Sequence, residues 1–267
     1  MKRIILALIP FLLLISLLPL SGCQKKSGKL VVAMELAYPP FETKDNAGNP
    51  TGVSVDLAMA IGEYLGREVE IVNMAWDGLI PSLISGKADM VISSMTVTEK
   101  RKEEVSFSDP YANAFLAILA NKDSGISSIG DLNQPGKKIA VKTGSTGFIY
   151  AQDNLTNAEI ISLADESACV TEVSQGKADG FLYDQLTIYR NNQNNPDTTS
   201  AIFIPFQNVE YWGIAMNKEN TELLSQVNEF LVSYRSSGGF DALANKYLAQ
   251  EKKAFEEFGF QWFFDLQ

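Results

Sequence analysis

The chain has 267 residues, 46% hydrophobic and 20% charged, which is long enough for two ordinary lobes or one large domain and too apolar for a disordered chain. It contains no histidine, which removes the commonest general base, His-activated nucleophiles and His-based metal sites. Thirty-two acidic against 22 basic residues give a formal charge of −10, which opposes binding to nucleic acid and to anionic membrane surfaces.

Lys2 and Arg3 precede an almost unbroken apolar run from Ile4 to Leu20, the pattern of an export signal. Pro10 and Pro19 make this run a poor membrane-spanning helix, although an uncleaved anchor is the alternative reading. Leu20-Ser21-Gly22-Cys23 resembles a bacterial lipobox, which makes residues 1–22 the expected signal peptide and Cys23 the expected lipidation site. Cleavage leaves 245 residues with 20 basic and 32 acidic groups, a net −12. The polar stretch 23–29 reads as a linker between lipid and fold. Cys169 then remains alone, so no disulfide framework or cysteine metal cluster is expected.

From Leu30 onward short apolar runs alternate with helical patterns, the signature of an α/β protein with mostly parallel sheets. Strands are expected at residues 30–34, 69–72, 90–92, 115–119, 139–141, 160–163, 180–183 and 202–204. Leu57, Ile61, Tyr64 and Leu65 mark one helix, closed by Gly66. Gly86-Lys87-Ala88-Asp89 and Gly176-Lys177-Ala178-Asp179 are the same tetrapeptide, each entering a strand that ends in a polar residue, Ser94 or Asp184. Ligands of open α/β sheets bind at such strand ends, so two similar lobes facing one cleft are expected, unless a common turn has recurred by chance.

Thr98 suits the N-cap of a short helix and Glu99 its first turn, but a cation there opposes the helix dipole. Arg101 is therefore either a solvated helix arginine or a bidentate carboxylate clamp beside Ser93, Ser94 and Thr96. Thr143-Gly144-Ser145-Thr146-Gly147 reads as an anion-binding turn entering a helix, or simply as a tight turn, and lacks the P-loop spacing. A cleft holding both Arg101 and Asp184 would suit a zwitterion, which is to say an amino acid.

The chain from Leu30 to Leu248 resembles the bacterial extracellular solute-binding proteins of family 3, the polar amino acid binding proteins of ABC importers. The resemblance rests on Tyr38-Pro39-Pro40-Phe41-Glu42, Asp56-Leu57-Ala58, Trp76-Asp77-Gly78-Leu79-Ile80-Pro81-Ser82-Leu83, Gly86-Lys87-Ala88-Asp89, Thr96-Val97-Thr98-Glu99-Lys100-Arg101 and Phe107-Ser108-Asp109-Pro110-Tyr111, in that order. It implies a periplasmic-binding-protein-like fold of type II, two α/β lobes joined by two crossing strands. Lobe 1 would comprise residues 30–113 plus 214–267 and lobe 2 residues 119–208, with hinges near 113–118 and 209–215. It also implies that Arg101 holds the ligand α-carboxylate with Thr96, Ser145 and Thr146, that Asp184 and Ser94 hold the α-ammonium, and that Glu35, Tyr38, Trp76 and the backbone near Ser93 surround the side chain. Gly147 stands where relatives often carry a larger polar residue.

Glu35 favours a cationic ligand side chain that Trp76 and Tyr38 would cover, hence lysine or arginine, unless Glu35 pairs with a protein cation or points to solvent. The expected partners are that amino acid, the ABC permease and, through the lipid anchor, the bacterial membrane from outside the cytoplasm. The chain is expected to be a monomer without cofactor, metal or catalytic residue. Two other functions are consistent with the fold. One is a cyclohexadienyl-dehydratase-like lyase with Glu35 as general acid, and the other is the sensor domain of a receptor. The aromatic tail, Phe255 to Gln267, is expected to pack back on lobe 1 as a terminal extension, the alternative being a role in docking the transporter.

Overall fold

The computed structural model describes residues 28–203 and 205–266. The expected signal segment, Cys23 and all but the end of the linker lie outside the described residues. Two five-stranded sheets form the cores of two α/β lobes. The first runs in the order Val69–Asn73, Leu30–Met34, Met90–Val91, Ala215–Met216, Ser106–Phe107, and the second in the order Glu159–Leu163, Lys138–Lys142, Gly180–Asp184, Leu116–Asn121, Thr199–Ile202. In each the first three strands are parallel, the fourth runs antiparallel to them, and the fifth, antiparallel to the fourth, runs with the first three, so the sheets are mixed.

Both faces of each sheet are covered, and the side-chain alternation of the strands shows it. Leu30, Val32 and Met34 pack with Leu57, Ile61 and Phe230 on one face of the first sheet, whereas Ala33 packs with Leu79 and Leu83 on the other. In the second lobe Ala117 and Leu119 face Phe181 and Ile188, and Ile118 and Ala120 face Leu132 and Leu155. The helix marked by Leu57 and Ile61 spans Val53–Leu65 and ends in a left-handed Gly66, φ 63°.

The repeated tetrapeptide does one structural job twice. Gly86 and Gly176 take left-handed conformations, φ 71° and 68°. The Asp that follows accepts an N–H at the start of the neighbouring strand, Val31 N–H to Asp89 Oδ2 at 3.0 Å and Lys138 N–H to Asp179 Oδ2 at 2.8 Å. Arg67 and Lys137 neutralise the two carboxylates.

The antiparallel pair Ala112–Ala114 and Glu210–Trp212 carries the chain from one lobe to the other and back. The last expected strand, 202–204, is shifted: the described strand spans Thr199–Ile202, where it pairs with Leu116–Asn121, and residue 204 lies outside the described residues. The short strands Ser106–Phe107, Ala112–Ala114, Glu210–Trp212 and Ala215–Met216 have no alternation long enough to be read from sequence.

The tail packs on the first lobe, with Phe255, Trp262, Phe263 and Phe264 buried in its core. Asn113, on the crossing strand, donates through Nδ2 to the carbonyls of Trp262 (2.8 Å) and Asp265 (3.0 Å), while its backbone N–H donates to Phe263 O at 2.8 Å. Phe258 and Phe260 reach the second lobe, against Tyr189, Phe203 and Phe115, while Phe260 also meets Phe255 of the first core. Phe263 is fully buried against Phe41, Trp212 and Phe255. Phe263→Ala is expected to cost about 3–5 kcal/mol, read as a lowered urea midpoint at unchanged slope.

Candidate functional site

The carboxyl ends of the parallel strands of both lobes meet at one cavity, where the crossing strands also pass. Glu35, Tyr38, Trp76, Ser93, Ser94, Thr96, Arg101, Ser145, Thr146 and Asp184, the ten residues singled out from sequence, all line it. Glu42, Tyr183, Glu210 and Trp212 line it as well and were not singled out.

The first lobe presents most of its groups on turns that leave strand ends. Glu35 follows Leu30–Met34 and is fixed by its own N–H, which donates to Ser93 Oγ at 3.0 Å. Tyr38 and Glu42 form a tight reversal, with Tyr38 N–H donating to Glu42 O at 2.8 Å. Gly52 packs behind this turn with φ 123°, and a Cβ there would lie 2.3 Å from Phe41 O, so no other residue fits. That approach delivers Ser54 Oγ to Glu42 Oε2 at 2.5 Å, and Ser94, itself at φ 47°, donates to the same oxygen at 3.1 Å. Burial pushes the Glu42 carboxyl up to about 8 despite the two hydroxyl donors.

Arg101 is buried, not solvated. Thr98 caps its short helix as expected, accepting Arg101 N–H at 3.2 Å. The guanidinium donates through Nη1 to Thr96 O (2.7 Å) and through Nη2 across the cleft to Gly144 O (3.1 Å). Burial lowers its pKa to about 10, which leaves it protonated at neutral pH. Trp76 Nε1–H donates to the same Gly144 carbonyl at 3.3 Å, and the ring centroid lies 5.2 Å from the Arg101 Cζ.

The second lobe contributes helix starts. Ser145 caps the helix Thr146–Asn154, accepting Phe148 N–H at 3.1 Å. Gly147 has a packing reason: a Cβ there would meet Leu182 O at 2.3 Å, so the helix can lie this close to its strand only without a side chain. Asp184 ends the strand Gly180–Asp184 and caps the next helix, with Oδ1 accepting from Leu186 N–H, Thr187 N–H and, across the cleft, Tyr38 Oη–H at 2.7 Å. Burial raises the pKa of both Asp184 and Tyr38. From the crossing strand, Glu210 accepts from Thr96 of one lobe (3.2 Å) and Thr146 of the other (3.0 Å).

Glu35 departs from the first expectation and takes the alternative one: it pairs with a protein cation. Lys142, at the end of the strand Lys138–Lys142, extends its Nζ to Glu35 Oε2, while Trp76 N–H donates to Oε1 at 3.3 Å. The strand-end argument that selected Ser94 and Asp184 applies equally to Lys142 and would have found it. Glu42 lay inside a motif already quoted, and Glu210 lay inside the expected crossing.

The sequence model for "Bacterial extracellular solute-binding proteins, family 3" matches residues 30–250. The chain belongs to this family. Among relatives, the "Probable histidine-binding protein" of Neisseria gonorrhoeae is 32% identical over 82% of this chain and 83% of that protein. Among solved structures, a mutant of the arginine-binding protein ArgBP from T. maritima superposes with a TM-score of 0.77 at 38% identity, covering 84% of this chain and 97% of that one. An ancestral amino acid-binding protein described as a precursor of cyclohexadienyl dehydratase gives a TM-score of 0.75 at 37% identity, covering 82% of this chain and 95% of that one.

For a family 3 chain with this cleft, the raised pKa of Glu42 has a consequence for stability. The folded protein holds the Glu42 proton between the ordinary carboxylate range and about pH 8, where the unfolded chain has released it. The contribution is fully present below the ordinary carboxylate pKa and is lost as pH rises through about 8. The difference in stability between wild type and Glu42→Gln is therefore expected to shrink or turn against wild type from pH 5 to pH 8.5, measured by urea unfolding at each pH.

Proposed function

We propose that the chain captures a polar, basic L-amino acid between its two lobes outside the cytoplasm and delivers it to an ABC importer, without catalysing a reaction. Arg101 carries the reading. It is a buried cation lining the cavity, and only part of its five-donor fork is used by Thr96 and Gly144. The remaining N–H groups suit bidentate capture of an α-carboxylate, flanked by Thr96, Ser145 and Thr146.

Asp184 engages its protein partners through Oδ1, and Oδ2 is the acceptor for the α-ammonium. Ser94 spends its O–H on Glu42 and offers a lone pair to the same ammonium. Tyr38, Trp76, Glu35 and Ser93 border the ligand side chain. Lysine or arginine is favoured through Glu35, and relatives named for histidine and arginine support a basic ligand. The groups that grip the two ends of the amino acid come from different lobes, so the ligand stabilises the closed form, which the permease would read. Lobe 1 is taken as residues 30–113 plus 214–267, lobe 2 as 119–208, and the hinges as 113–118 and 209–215. Acylation of Cys23 after removal of residues 1–22 would hold a monomer at the membrane.

A dehydratase would need a proton donor in the cleft. Glu35, the candidate for that role, accepts from Lys142 and Trp76 N–H instead, and Glu42, the lining carboxyl that burial pushes up to about 8, is engaged by Ser54 and Ser94. Purified protein is accordingly expected to leave prephenate and arogenate unchanged, and turnover of either would replace the binding reading.

Titration calorimetry against the twenty amino acids is expected to show binding of lysine, arginine or both. Arg101→Met is expected to weaken that binding on the order of 100-fold or more, since two charge-assisted bonds contribute about 1.5–3 kcal/mol each. Binding of glutamate alone, or an Arg101→Met protein with unchanged affinity, would defeat the assignment. Cys23→Ser is expected to move the protein from the membrane fraction to the soluble fraction of cells.

A further inference from the structure

The cleft already contains a cation at the carboxylate intended for the ligand's side chain. Lys142 reaches Glu35 from the opposite lobe, with its Nζ 5.5 Å from the centroid of the Trp76 ring, and the two side chains are only 6% and 16% exposed. Arg101 lies over the same ring. Burial pushes the carboxyls of Glu42 and Glu166 up, to about 8 and about 7, and the Lys142 charge offsets part of that rise in both.

We infer that Lys142 sets the specificity of the cleft by competing with the ligand's side-chain cation for Glu35. The inference rests on the proposed binding of an amino acid at this site and concerns what tunes it. Lysine and arginine side chains offer what Lys142 offers, a cation on a four- or three-carbon stem with an aromatic face beside it. One carboxylate and one ring do not serve two cations at close range, because like charges repel strongly where water is excluded. A basic ligand must therefore displace Lys142 from Glu35, and that displacement subtracts from its affinity. A neutral polar side chain of the same shape leaves the pair intact and loses nothing. Native Lys142 thus compresses the preference for a cation that Glu35 alone would create.

Citrulline matches arginine in shape and lacks its charge, so the pair isolates this effect. Calorimetry with ligand-free wild type, Lys142→Met and Lys142→Arg is expected to show arginine binding at least tenfold more tightly to Lys142→Met than to wild type, with citrulline unchanged within threefold. Lys142→Arg, which restores a tethered cation, is expected to keep the wild-type ratio, and adding Glu35→Gln to Lys142→Met is expected to abolish the gain. Removing Lys142 leaves Glu35 buried without its partner, so the ligand-free variant is expected to melt below wild type and to gain more from arginine. Where Lys142→Met does not fold, Lys142→Gln carries the same expectation. An arginine-to-citrulline ratio that is unchanged or reduced in Lys142→Met, or in Lys142→Gln where that variant replaces it, would overturn the inference while leaving amino acid binding intact. Failure of every cooperatively melting protein to bind any amino acid would instead overturn the proposed function, and the inference with it.

Discussion

A side chain that keeps its charge after leaving water must find a partner of opposite sign or enough hydrogen bonds to replace its solvation, and the cleft imposes that demand on several groups at once. Glu35, Glu42, Asp184 and Glu210 border it together with Arg101, and Lys142 reaches in beside them. Each solves the problem differently. Glu35 takes an ion pair, Asp184 takes two backbone N–H groups and a phenol, Glu210 takes two threonine hydroxyls, and Glu42 is pushed toward holding its proton. Most of these solutions draw a donor from each lobe. The charge arrangement is thus a reason for the lobes to meet, and it couples the shape of the cleft to its occupancy.

The backbone arrangement makes that coupling possible. Each lobe places three parallel strands so that their carboxyl ends point to the cleft, and each adds one antiparallel strand where the chain enters or returns. The ordinary preference of ligands for strand ends in open α/β sheets then acts from both sides. The paired strands Ala112–Ala114 and Glu210–Trp212 form the floor, contributing Ala114, Glu210 and Trp212 to the lining. A crossing strand that carries Glu210, bonded to Thr96 on one side and Thr146 on the other, is tied to the placement of both lobes through polar contacts as well as through its backbone.

Much of this was legible in the residues. The apolar runs that became central strands are long enough to show periodicity, and the ten candidate site residues sit on motifs whose local chemistry already demanded a turn or a cap: Thr98 before Arg101, Ser145 before a helix, Asp184 after an apolar strand. What was not legible depends on contacts between residues far apart in sequence. Lys142 and Glu35 are separated by 107 positions, and nothing near either residue tells which cation the carboxylate will meet. The two-residue strands Ser106–Phe107 and Ala215–Met216 of the first sheet are set by their neighbours alone. The repeated Gly-Lys-Ala-Asp suggested twin lobes, and the structure gives the motif a simpler role as a strand-end clasp that both lobes use.

The aromatic tail bears on the same question of lobe separation. Its buried half, Trp262 to Phe264, is part of the first core and is tied to the crossing strand through Asn113. Its other half, Phe258 and Phe260, lies against Phe203, Tyr189 and Phe115 of the second lobe. A segment anchored in one rigid body and touching the other resists their separation by the apolar area it would have to expose. Phe258 is already 52% exposed, so its share of that resistance is small, and the larger share falls to Phe260. The closed arrangement is then favoured by polar bonds on the cleft side and by aromatic contact on the tail side. The ligand has to supply only the difference between that balance and the hydration regained by the cleft's charges on opening.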